Sequence, residues 1–244
     1  MRKGLNFMKK LKLRTFLRGT KIVGVIFTLE DFYIALANPD IADIYEWRVD
    51  CILCDEVIEG LNHLRRLGKL VILTVRDPAE GGQKPEWGLC HRQILMLEYL
   101  HVADIIDVEA LNAIRLRRVI TEARERGMPV IISCHFLTHM PSRTQFLWAW
   151  DVCKALGDIF KVAILIENAP DMACFRKWVM PLMRYRNNKW RIAPMATGEK
   201  YGPSSRLWFA KEGAALVYGS LGKAVIKGQL SVRELRAKLA KNTA

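Results

Sequence analysis

The chain has 244 residues, of which 51% are hydrophobic and 26% charged, a globular composition with enough apolar mass for one sizeable core. That content excludes disorder as the main state, and no run approaches the roughly 20 uncharged apolar residues a membrane span requires. The 38 Lys and Arg against 25 Asp and Glu give a formal net charge of +13, a field that attracts anions of every kind without selecting one.

The first 20 residues, MRKGLNFMKKLKLRTFLRGT, carry Lys and Arg and no acid. They lack the apolar stretch and small-residue cleavage site of a secretory signal, so they read as a solvated basic lead-in. No aromatic-plus-basic RNA motif or zinc-finger spacing marks the chain as a specific nucleic-acid binder. From residue 21 onward, apolar runs of strand length alternate with amphipathic helical stretches. The runs are 21–27 (KIVGVIF), 44–50 (IYEWRVD), 70–76 (LVILTVR), 105–111 (IIDVEAL), 129–136 (PVIISCHF), 159–166 (IFKVAILI), 190–197 (WRIAPMAT) and 214–221 (AALVYGSL). Rich in Val and Ile and nearly continuous in apolarity, they suit strands buried on both faces.

Between the runs lie helical patterns. Val57, Leu61, Leu64 and Leu67 recur at helical spacing behind Asp55 and Glu56 and stop at Gly68. Ile114, Val119, Ala123 and Arg126 predict a second helix ended by Gly127, and a third runs from Ser142 through Phe146, Trp150 and Cys153 to Gly157. The last opens with a capping box at Ser231 and Glu234. Strands each followed by a helix, with no break in composition, predict an α/β fold: a single closed (β/α)8 TIM barrel over residues 21–242. An open doubly wound sheet is the alternative, but no G-x-G-x-x-G follows the first strand.

The six cysteines, in a chain without a secretory signal, read as reduced thiols, which places the protein in the cytoplasm. Cys51 and Cys54 form a C-x-x-C, but no second pair follows at the spacing a structural zinc site needs.

In such a barrel, residues at the carboxyl ends of strands point into the active-site mouth. Glu46, Arg48 and Asp50 end strand 2 at a spacing that places them on one side, and Arg76 ends strand 3 ahead of a loop carrying Glu80. Strand 4 carries Asp107 and Glu109, strand 5 ends with His135, and Lys161 interrupts the apolar strand 6. Any one of these reads as a solvated rim group; delivery of acids, bases, an imidazole and an amine to one barrel end does not. Burial in an apolar strand disfavours an ammonium, and a neutral lysine can attack a ketone to form an imine that acts as an electron sink. His135 suits the general acid or base beside that imine, and Glu80 suits the group that fixes its tautomer. Arg48, Arg76 and Arg206 offer rigid donor forks for a carboxylate or hydroxyls. The residues thus predict a Schiff-base lyase or aldolase acting on a small anionic hydroxy-ketone.

The motifs E-W-R-V-D (46–50), R-x-x-x-E-G-G (76–82), I-D-V-E (106–109), S-C-H (133–135), F-K-V-A (160–163), S-R (205–206) and G-Q-L-S-V-x-E-L-R (228–236) occur in barrel order. Together they resemble the type I 3-dehydroquinate dehydratases, over roughly residues 20–240. The resemblance implies that Lys161 forms an imine with the ketone of 3-dehydroquinate and that His135 removes the C2 proton and protonates the departing C1 hydroxyl. It implies that Glu80 orients His135, that Arg206 and Gln229 bind the substrate carboxylate, and that Glu46, Arg48 and Arg76 bind ring hydroxyls and shape the pocket. No metal or nucleotide cofactor is implied, the product is 3-dehydroshikimate, and the family is often a homodimer. His139, beyond the strand end, reads as a loop residue.

The sequence departs from the family in the short lid loop, where Val225-Ile226-Lys227 replace the usual Ser-Ala-Pro before Gly228 and Gln229. That change leaves two alternatives: another small hydroxy-keto acid as substrate, or a binding or regulatory barrel without catalysis. Gly219-Ser220-Leu221-Gly222-Lys223 after strand 8 also sits where many barrels bind phosphate.

Overall fold

The structure, a computed structural model, describes residues 19–184 and 191–240. Eight strands and eight principal helices alternate among these residues. The first half contains β1 (Lys21–Ile26), α1 (Leu29–Ala37), β2 (Ile44–Arg48), α2 (Asp55–Arg66), β3 (Leu70–Thr74), α3 (Leu89–Tyr99), β4 (Ile105–Glu109) and α4 (Arg117–Glu125). The second contains β5 (Val130–Phe136), α5 (Arg143–Leu156), β6 (Ile159–Leu165), α6 (Ala169–Arg184), β7 (Arg191–Thr197), α7 (Gly202–Lys211), β8 (Leu216–Ser220) and α8 (Val232–Ala240). All neighbouring strands pair parallel, in the order β7-β6-β5-β4-β3-β2-β1-β8. The sheet comes round on itself, and the β7–β8 seam is bridged where the Ala215 N–H donates to the Ile192 carbonyl at 2.7 Å. The result is the (β/α)8 TIM barrel that the alternating pattern predicts.

Helix starts follow local chemistry. Thr28 accepts from the Asp31 N–H at 3.1 Å while the Asp31 carboxylate takes the Thr28 N–H at 3.0 Å, a reciprocal cap that begins α1. Ser142 with Gln145 begins α5, and Ser231 with Glu234 precedes α8, in the same way. Asp55 and Glu56 sit in the first turn of α2, where the helix dipole favours acids.

Side chains alternate across each strand, so the sheet makes two cores. Trp47, Leu73, Val108, Ile132 and Phe160 face the helices, whereas Val23, Ile44, Ile72, Ile105, Ile131 and Ile159 fill the barrel interior. That apolar interior plug is the floor on which the polar side chains farther along the same inner faces stand.

Some expectations shift. The α4 helix begins at Arg117, so Ile114 lies in the preceding turn with 72% exposure instead of on a buried face. Leu67 is the C-cap of α2 and is 51% exposed. The β2, β3 and β4 ladders end at Arg48, Thr74 and Glu109, so Asp50 and Arg76 belong to the loops that follow. The basic lead-in, apart from its last two residues, and Trp190 fall outside the described residues. Among the described residues no helix is long and apolar enough to cross a membrane.

Candidate active site

Above the apolar floor, the next inward positions are ionic. Lys161 on β6 is 4% exposed, and its Nζ donates to Glu46 Oε1 and to Asp107 Oδ2, both at 2.9 Å. The ring of Tyr218 on β8 lies against the same nitrogen, 4.2 Å from centroid to Nζ. The apolar surroundings expected from F-K-V-A are therefore corrected: flanking residues of β6 face the helices, while the lysine faces two acids across the barrel. Each acid is further held, Glu46 by the Thr74 hydroxyl at 2.7 Å and Asp107 by the Ser133 hydroxyl at 2.6 Å. Burial alone would raise the Asp107 carboxyl, but Arg76 and Lys161 outweigh it and hold it below the usual carboxylate range.

Arg76 ties the acids together. Its guanidinium donates to Glu109 at 2.9 Å and to Ser133 at 2.8 Å, and lies 3.0 Å from Asp107. Arg92, reaching in from α3 and 1% exposed, bridges the other Glu109 oxygen at 2.5 Å to Asp77 at 2.6 Å. Asp50 takes both donors of Arg48, at 2.8 and 2.7 Å, and the N–H groups of Arg76 and Gln83. These bonds fold the loop after β3 back over the barrel mouth. Gly82 is required there, because a Cβ would lie 2.3 Å from the Arg76 carbonyl oxygen.

That loop delivers Glu80 to His135. Glu80 Oε2 accepts the His135 backbone N–H at 2.9 Å and lies 2.8 Å from its Nδ1. Burial, then the cations Arg76 and Lys161, push the His135 imidazole well below its ordinary value, so it stays neutral. Burial and the nearby Glu109 raise Glu80 to about 8, against the opposing pull of Arg76. Ser133 pairs with Lys161 in the β5–β6 register, so His135 sits one inward step farther up the barrel than the amine. His139 is exposed beyond the strand.

Arg206 enters from α7 across the β7–β8 seam. Its Nε donates to the Tyr218 carbonyl at 3.2 Å, and its Nη1 contacts the carbonyls of Ala196, Gly202 and Gly228 at 3.1, 2.8 and 3.0 Å. It has no carboxylate partner among the described residues, and burial lowers it to about 10. Gln229 Oε1 is buried with no hydrogen-bond partner among the described residues. Gly228 adopts φ +73°, and a Cβ there would lie 2.0 Å from the Gly198 carbonyl oxygen, which pins the end of the lid loop to the β7 side. Gly222, at the loop's other end, gives its N–H to Asp31 at 2.8 Å, so this amide serves a carboxylate where a phosphate site would need it free.

One cavity of about 240 Å³ is lined by all eight residues to which the family resemblance gives a role, Glu46, Arg48, Arg76, Glu80, His135, Lys161, Arg206 and Gln229, while Asp50, Asp107 and Glu109 lie behind it. Arg48 and Arg76 reach it with guanidinium donors already committed to Asp50 and to the acid cluster. Asp107 was visible as a charge two positions from Glu109, but its contact with Lys161 was not assigned. Tyr218 and Arg92 carried no signal, since a tyrosine in an apolar strand reads as core and an arginine on a helix reads as surface.

Known proteins share this sequence pattern and fold. Residues 32–242 match the Type I 3-dehydroquinase family. The 3-dehydroquinate dehydratase of Methanococcoides burtonii is 30% identical over 203 residues, 80% of this chain and 82% of that one. That of Methanothermobacter thermautotrophicus is 29% identical over 192 residues, 78% of this chain and 81% of that one. Among solved structures, the 3-dehydroquinate dehydratase of Geobacillus kaustophilus superposes with a TM-score of 0.79 at 20% identity, covering 91% of each chain. The Clostridium difficile type I enzyme, solved with covalently modified comenic acid, gives 0.78 at 25% identity, also over 91% of each chain. An amine held at the centre of a (β/α)8 barrel beside a glutamate-bound imidazole, and a family match over most of the sequence, lead to one assignment: this chain belongs to the type I 3-dehydroquinase family.

Proposed function

We propose that the protein dehydrates 3-dehydroquinate to 3-dehydroshikimate and water through an imine on Lys161. The observation that carries this reading is a buried lysine amine facing the same small cavity as a neutral histidine. Lys161 attacks the C3 ketone as the free amine, and the proton its nitrogen sheds is taken up by the oxygen that leaves as water, so that ammonium and ketone give in sum a protonated imine and one water with the positive charge still on nitrogen. His135 then takes the C2 proton, and the electron pair of the C–H bond flows into the C=N bond. The imidazolium so formed returns its proton to the C1 hydroxyl as the C1–O bond breaks, and one group serving both steps on one face gives syn elimination. Water finally hydrolyses the protonated imine, releasing product and returning Lys161 to its ammonium form.

Each neighbour has a part in that sequence. Glu80 fixes the His135 ring through Nδ1 and leaves the other ring nitrogen for the substrate. Glu46 and Asp107 offset the charge on the Lys161 nitrogen, and Arg76 keeps both acids in place. Arg206, with no acid partner among the described residues, and the amide N–H group of Gln229 line the same cavity and are the donors that suit a bound carboxylate. Arg48 shapes the mouth through Asp50 and the Glu80 loop. The lid contributes Val225 and Ile226 where the family resemblance leads one to expect Ser and Ala, so one hydrogen bond to the substrate is replaced by apolar contact.

The same reading treats residues 21–242 as the catalytic domain behind a short basic lead-in, acting in the cytoplasm as a homodimer. It requires no metal and no nucleotide cofactor. Its test is to incubate the protein with 3-dehydroquinate and borohydride, weigh it, map the adduct and follow enone absorbance in parallel. A reduced adduct on Lys161 with enone appearing supports the reading. Neither adduct nor enone overturns it.

A further inference from the structure

The Lys161 nitrogen has three partners of two kinds. Glu46 and Asp107 accept hydrogen bonds from it, each at 2.9 Å, while the Tyr218 ring offers a face at 4.2 Å. Tyr218 is 3% exposed and lines the same cavity, yet its hydroxyl has no hydrogen-bond partner among the described residues. Burial, and then Glu46 and Asp107, push that phenol well above its ordinary value, so no tyrosinate forms to act as a counter-ion. What the side chain offers the nitrogen is its aromatic face.

The distinction matters when the amine reacts. An ammonium carries three N–H donors, whereas the protonated imine that replaces it carries one. The charge is conserved when ammonium and ketone give imine and water, but two carboxylate hydrogen bonds cannot both survive on a single N–H. A ring face attracts a cation through its quadrupole and does not depend on where the N–H points.

We propose that Tyr218 is a catalytic residue whose ring face, in contact with the reacting nitrogen, stabilises the cationic imine on Lys161. The assignment rests on Lys161 being the nucleophile. It gives the ring a task that does not depend on N–H donors: the acids orient the amine before attack and offset its charge, and the ring adds to that stabilisation once donors have been lost. The hydroxyl takes no part.

The test replaces Tyr218 with Phe and then with mono-, di- and trifluorophenylalanine, which weaken the negative ring face with little change in shape. Adduct formation on Lys161 is followed by rapid quench into borohydride and mass analysis, with kcat and KM measured alongside. Tyr218→Phe retains the ring face and is the reference for the fluorine series, expected to keep most of the trapping rate and kcat that Tyr218→Leu loses. Each added fluorine should lower the trapping rate and kcat in steps, with KM changing little. Tyr218→Leu should fall about 10- to 30-fold, the loss of a desolvated cation–π contact. A flat fluorine series, with the unaltered enzyme still trapping on Lys161, overturns the role of the ring and leaves the imine mechanism standing. A loss in Tyr218→Phe as large as in Tyr218→Leu assigns the effect to the hydroxyl and also overturns it. No adduct in the unaltered enzyme overturns the imine reading itself, and this assignment with it.

Discussion

Glu80 holds His135 at two points with one oxygen, accepting its backbone N–H at 2.9 Å and meeting its Nδ1 at 2.8 Å. The main-chain bond fixes where the carboxyl group sits, and the ring contact fixes where the imidazole points. Both groups are buried, and each is pushed towards its uncharged form, Glu80 up to about 8 and His135 well below its ordinary 6.5.

Opposed shifts predict a stability profile limited on both sides. Glu80 is raised from 4.5, so its contribution is full below 4.5 and is lost as pH rises through about 8. His135 is lowered from 6.5, so its contribution is full above 6.5 and is lost as pH falls towards its depressed folded value. Thermal melts across this range should show Glu80→Gln flattening the alkaline fall and His135→Asn flattening the acid one. If Glu80→Gln leaves the alkaline limb unchanged, the raised carboxyl group is not its source.

Catalysis should separate where folding and imine formation do not. His135→Ala removes the base but leaves the amine, so kcat should drop by about 10²- to 10⁴-fold while borohydride still traps an adduct on Lys161. Glu80→Gln retains an oxygen for the backbone N–H and should lose less, chiefly in kcat. A His135→Ala protein that no longer traps would move His135 into the imine-forming step.

Replacing Lys161 tests the acid cluster as well as the chemistry. Lys161→Met abolishes the adduct and takes from Glu46 and Asp107 one of the two cations they share, leaving them Arg76. Breaking a buried pair by removing one partner costs about 3–5 kcal/mol, so unfolding in urea should show a loss of that order. Adding Glu46→Gln should recover part of it, because one uncompensated charge is then gone. A double variant no more stable than the single one would show that Arg76 alone balances both acids.

The barrel was legible because its strands are buried on both faces and read as apolar runs, and because Gly and capping residues punctuate the helices. Glu46, Lys161 and His135 were legible for a related reason, since they break apolar runs where a core would not tolerate them, whereas Gln229 was named only through the family resemblance. What remained hidden depends on chain segments meeting across the barrel. Lys161 looked surrounded by Phe160 and Val162, yet those side chains point outwards, and its true neighbours are about 50 to 120 residues away in sequence, as the separations of 54 from Asp107 and 115 from Glu46 show. Arg92 lies on an amphipathic helix, and only the fold turns it inward to Glu109. Tyr218 has the composition of core, and only its distance to an amine gives it chemistry.

Arg206 has two tasks that a conservative change should separate. Its Nε and Nη1 satisfy four carbonyl oxygens on β7, α7, β8 and the end of the lid, which bolts the seam of the barrel, while its charge meets no acid among the described residues. Arg206→Lys keeps the charge but replaces a planar fork by three donors on a single nitrogen, so some of those carbonyls lose their partner. Each buried group left unpaired costs about 1–3 kcal/mol, and the variant should unfold at lower urea. The substrate carboxylate would still meet a cation, so KM should rise by about tenfold, equivalent to one charged hydrogen bond, with kcat changed less. Arg206→Met, in contrast, should lose the carboxylate altogether, and a small monocarboxylate that stabilises the unaltered protein in thermal melts should leave it unaffected. Equal stabilisation of Arg206→Met by that acid would place the carboxylate elsewhere in the cavity and confine Arg206 to the seam.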